Sequence, residues 1–471
     1  MLNPEVTTDP VNILEQKYYD KLQEAEWLNR KLVSNQGNRE ITLLNWFGLK
    51  EGFSYELVVK LIRRSKVKPG DTFLDPFSGA GTSLFAAANI GLKSIGIELL
   101  PIGQFLNDTR HAAFDVNTDA LESAMKNALE FIKKKQEPIE TFKFKHVPIT
   151  EGAFPEETER DLANYIQFIQ EIKDPSVNQL MKFACFSVLE KVSYTSKDGQ
   201  YLRWDKRSGR TRTGDYQKKE IFAFTDAISH TFERILTTLK YKNFFVGGNK
   251  GILENISIIN GSALENLPRL PSESVNLVIS SPPYCNRYDY TRTYALELAF
   301  LGSDDKKLKE YRQQLLSCTV ENKSKDRWLY DLYASIGKLE NYSAVKAAFV
   351  ENYALQSILD HLKIAMNEGK LNNKGIYSMV YNYFFEHAFI IHEMARVMKP
   401  GGQIYYINDN VQYANISIPV DLILSDFAEA FGLQVKKIYY LKRGKGNSSQ
   451  QMGQHGREEQ RKCVYFWEKL L

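Results

Sequence analysis

Residues 72–98, TFLDPFSGAGTSLFAAANIGLKSIGIE, constrain the fold more than any other stretch of the chain. An apolar run (TFLDPF) meets a glycine-rich turn, a small-residue helix (SLFAAANIG) and a second strand-like run (KSIGIEL). Two strands joined by a helical crossover form a β-α-β unit, and the crossover forces them to lie parallel in one sheet. Parallel sheets are covered on both faces, so the rest of the chain has to supply helices. With 471 residues, 43% hydrophobic and 25% charged, it has enough material for a large core with insertions.

The flanking pattern agrees. A helix (YELVVKLIRRSKV) precedes the unit, and residues 13–34 read as an amphipathic helix packed on the domain behind it. From 116 to 250 the chain reads as mostly helical. Val177, Leu180, Met181, Ala184 and Val188 share one helical face, as do Ile228, Phe232, Ile235 and Leu239. Strands resume at 255–260 and 275–280, followed by a charge-rich helical stretch at 301–372. A helix near 380–398 leads into QIYYIND, and a last helix (419–431) precedes LQVKKIYYL and KCVYFWE. The sum is an α/β core, doubly wound and mostly parallel, with a C-terminal antiparallel hairpin and two largely helical insertions. The core takes 40–115, 251–300 and 373–471; the insertions are 116–250 and 301–372, and 1–39 is an N-terminal helical segment.

Several function classes drop out early. No apolar run approaches the roughly 20 residues of a membrane span, and the N-terminus lacks a signal-peptide pattern, so a cytoplasmic protein is expected. Cys185, Cys285, Cys318 and Cys463 show no C-x-x-C spacing, and His387 and His392 are five apart, so neither a disulfide framework nor a metal site is expected.

Chemistry concentrates at the ends of two strands. Gly79 and Gly81 allow a tight turn and close approach of a ligand, beside the free N–H groups of a helix start. Glu98 ends the next strand, where an acid can hydrogen-bond a ribose, and Asp75 is placed for a ligand ammonium. A ribose-containing ligand follows; a nicotinamide is still open at this point. The stretch 278-VISSPPYCNRY-288 narrows the choice. Fixed proline φ angles hold the Ser281 hydroxyl and the Pro282 carbonyl as acceptors, and Tyr284 offers a flat face. Two acceptors beside an aromatic platform suit a planar ring bearing an exocyclic NH₂, which hydride transfer does not require.

The ordered pair DPFSGAGT and SPPY resembles the amino-methyltransferases of DNA, which use S-adenosylmethionine to make N4-methylcytosine or N6-methyladenine. KEGFSYELV (50–58), MKPGGQIYYIND and the C-terminal GNSSQQMGQHGREEQRKCVYFWEK extend the resemblance over residues 40–110, 250–300 and 375–471. It implies a Rossmann-like class I methyltransferase sheet. It implies cofactor contacts from Phe53, Asp75, Pro76, Phe77, Ser78, Gly79, Gly81, Thr82, Glu98 and Leu99, with Ser262 and Ala263 where many relatives carry an acid. The catalytic motif falls on Ser281, Pro282, Pro283 and Tyr284. SPPY is the variant that the family associates most with cytosine, so the resemblance implies an N4-cytosine enzyme of a type II restriction–modification system. N6-adenine is the alternative, and an RNA or protein amide methyltransferase and a non-enzymatic nucleic-acid-binding module are rivals. Double-stranded DNA is the implied partner, with a cognate restriction endonuclease in the same system and a monomeric or dimeric enzyme.

A net charge of +4 is nearly balanced for this length and does not by itself identify a nucleic-acid binder, so local clusters matter. Residues 197–219 carry eight Lys/Arg against three Asp/Glu, and 442–462 carry six against two. Arg203, Lys206, Arg207, Arg210 and Arg212 in the first, and Arg443, Lys445 and Arg457 in the second, are the candidate DNA contacts. The 116–250 insertion is accordingly expected to hold the target-recognition region, with 301–372 as its rival. Among Tyr381, Tyr383 and Phe384, helical spacing assigns Phe384 to the core and leaves Tyr383 open between core and base pocket.

Overall fold

The computed structural model describes residues 10–49, 52–134, 136–198, 201–210, 215–240, 251–442 and 460–470. Its strands are β1 (Leu22–Glu24), β2 (Thr72–Asp75), β3 (Lys93–Glu98), β4 (Thr195–Asp198), β5 (Tyr201–Trp204), β6 (Ile256–Asn260) and β7 (Val275–Ser280). After these come β8 (Met398–Asp409), β9 (Val411–Tyr413), β10 (Ile416–Ile418), β11 (Leu433–Tyr440) and β12 (Lys462–Lys469). Eight of them form one sheet in the order β1-β11-β12-β8-β7-β2-β3-β6. Only β12 runs against its neighbours; the other pairs are parallel. The order reverses between β2 and β7, where an open α/β sheet leaves a crevice at the strands' carboxyl ends. The two motifs therefore meet because β2 and β7 are hydrogen-bonded neighbours, Phe73 opposite Leu277 and Leu74 opposite Val278.

Alternation along the strands sorts the core into two layers. Phe73, Leu277, Ile279 and Tyr405 pack with the helices Tyr55–Arg64 and Thr82–Asn89. Leu74, Val278, Ile404 and Tyr406 pack beneath the helices Gly375–Val397 and Val420–Ala430. The Tyr55–Arg64 helix starts where the Ser54 hydroxyl accepts from Leu57 N–H, carries Glu56 in its first turn, and ends on Arg63 and Arg64, charges that complement its dipole. Leu57, Val58, Leu61 and Ile62 are its buried face.

The N-terminal reading needs correction. The helix expected over 13–34 spans only Pro10–Lys17, and Leu22–Glu24 pairs instead with Ile438–Tyr440 as an eighth strand. The cause is tertiary: β11 would otherwise present an unpaired edge, and β1 covers it. Trp27 then packs edge-on against Tyr439, with the Arg64 guanidinium over its other face.

The two insertions pack differently. The helices Thr118–Lys133, Glu156–Gln170, Pro175–Val188 and Phe224–Lys240 build a second core with Leu43, Leu44 and Trp46. Part of the basic 197–219 stretch is a hairpin, β4–β5, with Leu202 buried beneath it. By contrast, Tyr333, Tyr342, Phe349 and Leu355 of the 301–372 stretch join the main core against the Gly375–Val397 helix. A small β9–β10 hairpin, which local pattern did not indicate, follows β8. No helix among the described residues is long and apolar enough to cross a membrane.

Candidate active site

Asp75, at the end of β2 and 1% exposed, ties the crevice together. It accepts from the Phe77 N–H (3.0 Å) in the glycine turn, from the Ser83 hydroxyl in the next helix, and from the Ser280 hydroxyl (2.6 Å) at the end of β7. Burial pushes its carboxyl up to about 6, against the downward pull of Ser280, Ser83 and the Phe77 amide. Both oxygens are engaged within the protein, so Asp75 joins the two motifs.

Glu98, at the end of β3, grips the turn from the other side. One oxygen accepts from Gly79 N–H (2.7 Å) and the other from Leu100 N–H (2.8 Å). Burial raises it to about 7, opposed by those amides. The Pro101–Asp115 helix presses so closely that a Cβ on Gly103 would lie 2.5 Å from the Gly79 carbonyl oxygen. Only glycine fits there.

The resulting cleft, about 1050 Å³ including its open mouth, is lined by Phe53, Asp75, Pro76, Phe77, Ser78, Gly79, Thr82, Glu98, Leu99, Ser262, Ala263, Ser281 and Pro283 of the expected set. Gly81, at φ +73°, forms the N-cap of the Thr82–Asn89 helix behind it. Pro282 is buried, and Tyr284, which is not among the lining residues, is half-buried, its hydroxyl accepting from the lining Ser281 (3.0 Å). Ser262 donates to the Gln314 carbonyl (2.9 Å). Tyr383 is fully buried and accepts from Asn408 (2.7 Å), which places it in the core with Phe384.

Part of the wall was not foreseen. Leu49, Tyr290, Tyr294 and Gln314–Leu316 also line the cleft. Gln314–Leu316 is held there because Ser317 donates through N–H (2.8 Å) and hydroxyl (2.6 Å) to the buried Glu386, which Lys325 neutralises at 2.8 Å. Tyr294 is covered by Lys197 of β4, whose ammonium lies 4.9 Å from the ring centroid and pairs with buried Glu297. A spacing of four between Tyr290 and Tyr294, just after the proline motif, was the available signal; Gln314–Leu316 had none.

Of the candidate DNA contacts, Arg203 stacks on Tyr216 (4.0 Å) and Lys206 is exposed. Arg207 makes a two-pronged pair with Asp205 (2.8 and 2.7 Å). Arg210 stacks on Trp204 (3.8 Å) and donates to the Pro148 and Glu151 carbonyls (3.0 and 2.9 Å). Arg212, Arg443, Lys445 and Arg457 lie outside the described residues.

The lining combines the apolar side chains of Phe77, Leu99 and Leu316 with the Asp75 and Glu98 carboxylates and the glycine turn, a set that suits a nucleoside with a polar tail. The comparisons with known proteins agree with this geometry: on the two relatives below, the chain belongs to the type II DNA methyltransferases. The family described as "DNA methylase" matches residues 7–101, which span the first strand pair and its glycine turn. Type II methyltransferase M.BsoBI of Geobacillus stearothermophilus is 44% identical over 468 residues, covering 97% of this chain and 91% of that protein. Type II methyltransferase M.AvaI of a Nostoc species is 42% identical over 462 residues, covering 97% and 92%.

Proposed function

We propose that this enzyme methylates the exocyclic N4 of a cytosine rotated out of duplex DNA, using S-adenosylmethionine, as the modification activity of a restriction–modification system. The supporting observation is the hydrogen bond that joins Tyr284 to Ser281, a residue lining the nucleoside cleft. Ser281 directs its proton to the Tyr284 oxygen, which leaves its lone pairs to accept from an amino group. The Pro282 carbonyl, on a backbone that cannot swing, is the second acceptor. Two acceptors take the two amino hydrogens and turn the nitrogen lone pair toward the cleft, while the Tyr284 ring supports the base. Extrusion of the base costs a few kcal/mol, which stacking on an aromatic ring offsets in part.

Glu98 would hold the ribose hydroxyls, Phe77 and Leu99 the adenine, and the turn around Gly79, with Phe53, the methionine tail. The bound cofactor supplies an electrophilic methyl group on a sulfonium. The protein's contribution is orientation and proximity, worth up to ~7–11 kcal/mol in favourable cases. N6 of adenine presents the same two hydrogens; a neutral serine rather than an acid at position 281 favours cytosine in our reading. The 116–250 insertion, carrying Arg203 and Lys206, is the proposed target-recognition region.

Transfer of labelled methyl groups from S-adenosylmethionine to duplex DNA, compared with RNA, tests this. The wild-type chain should label DNA alone and Tyr284→Ala should not; labelling of RNA alone, or undiminished DNA labelling by Tyr284→Ala, would refute it.

A further inference from the structure

A buried cation among the described residues lies outside the expected site. Arg110 sits two helical turns beyond Gly103 on the Pro101–Asp115 helix and is 4% exposed. Its Nη2 donates to the Ala80 carbonyl at 2.6 Å, and its Nη1 lies 3.2 Å from the place where a Gly81 Cβ would be. Among the described residues its Nε has no hydrogen-bond partner, and burial lowers the group to about 10 with no described carboxylate acting on it. It therefore stays cationic at neutral pH. A buried cation without a counter-ion costs several kcal/mol, and proteins rarely keep one without use.

The position of the charge suggests the use. Gly81 is the N-cap of the Thr82–Asn89 helix and provides no capping side chain. The positive end of that helix and the Arg110 guanidinium thus converge on the Ala80–Thr82 turn, and Ala80, Thr82 and Ser83 line the cleft. The two carboxylates nearest this turn, Asp75 and Glu98, are already engaged with Phe77, Ser83, Ser280, Gly79 and Leu100, so a further anion would suit the Arg110 side of the turn. The only anionic group of S-adenosylmethionine is its carboxylate.

We propose that Arg110 is a positioning residue that acts through the Ala80–Thr82 turn to fix the carboxylate end of the cofactor's methionine moiety. This rests on the cofactor reading given above. The guanidinium holds the turn by its bond to Ala80 and supplies the charge that the turn's amides share. A merely structural prop would do only the first.

The two roles separate by calorimetric titration of the full chain with S-adenosylmethionine and with its decarboxylated analogue, which differs only by the missing carboxylate. The wild type should prefer the intact cofactor by about tenfold, the scale of one charge-assisted contact; Arg110→Met and Arg110→Gln should bind the two within about twofold of each other, and Arg110→Lys should keep the preference. The proposal is overturned if the wild type shows no preference, if the neutral variants keep it, or if they weaken both ligands by the same factor. If Arg110→Met does not fold, Arg110→Gln, which can still donate a hydrogen bond, decides the matter. Failure of the wild type to bind either compound would instead refute the cofactor reading itself.

Discussion

Asp75→Ala tests the idea that one buried carboxylate joins the cofactor turn to the base-binding strand. The substitution removes the acceptor of the Phe77 amide and of the Ser83 and Ser280 hydroxyls at a site 1% exposed. Each buried donor left unsatisfied costs about 1–3 kcal/mol, and the two hydroxyls can partly re-pair, so the loss is about 3–5 kcal/mol while Asp75 is neutral. Ionisation opposes this. The folded-state carboxyl is raised from 3.8 to about 6, so the stability linked to its proton is fully present below about pH 4 and is lost as pH rises through 6. That shift amounts to roughly 3 kcal/mol in all, of which about 1.4 kcal/mol disappears between pH 5 and pH 8. Asp75→Ala should therefore lower stability by about 2–3 kcal/mol at pH 5 and by about 1.4 kcal/mol less at pH 8. Urea unfolding of ligand-free wild type and variant at both pH values measures the two gaps. An equal gap at both, or a wider one at pH 8, would refute the reasoning.

Other outcomes follow from neighbouring contacts. Glu98→Gln leaves either the Gly79 or the Leu100 amide facing an NH₂ group, and should weaken S-adenosylmethionine binding about tenfold by calorimetry. Because Glu98 titrates at about 7 in the free protein and serves as an acceptor when ionised, wild-type cofactor affinity should rise between pH 6 and pH 8 and that of Glu98→Gln should not. Tyr284→Ala should lower DNA methylation roughly 10–100-fold with cofactor affinity unchanged, whereas Tyr284→Phe, which keeps the ring and loses the Ser281 contact, should lose far less. Lys197→Met strands Glu297, 1% exposed, and should destabilise the protein by about 3–5 kcal/mol in thermal or urea melts, while Lys197→Met combined with Glu297→Gln should recover much of that.

What could be read from the chain was local or ordered by short connections. The strand–turn–helix–strand unit around Gly79 and Gly81 is written in consecutive residues, and two prolines after an apolar run mark the end of β7. That these two points meet follows from the rules of parallel sheets. What could not be read depended on distant partners. Leu22–Glu24 becomes a strand because Ile438–Tyr440 needs an edge partner more than 400 residues away. Gln314–Leu316 becomes cleft wall because Ser317 is held by Glu386, itself neutralised by Lys325. Nothing in the local sequence marks Arg110; the close approach of its helix at Gly103 accompanies its burial against the turn. Within the basic stretch at 203–210, Arg207 bonds Asp205 and Arg210 bonds the Pro148 and Glu151 carbonyls, contacts that local pattern did not indicate.

The central claim concerns which base carries the methyl group, and nucleoside analysis addresses it directly. Duplex DNA incubated with the enzyme and S-adenosylmethionine, digested to nucleosides and resolved by mass, should contain N4-methylcytosine and no new N6-methyladenine. N6-methyladenine without N4-methylcytosine would contradict the account and shift the assignment of Ser281 to adenine.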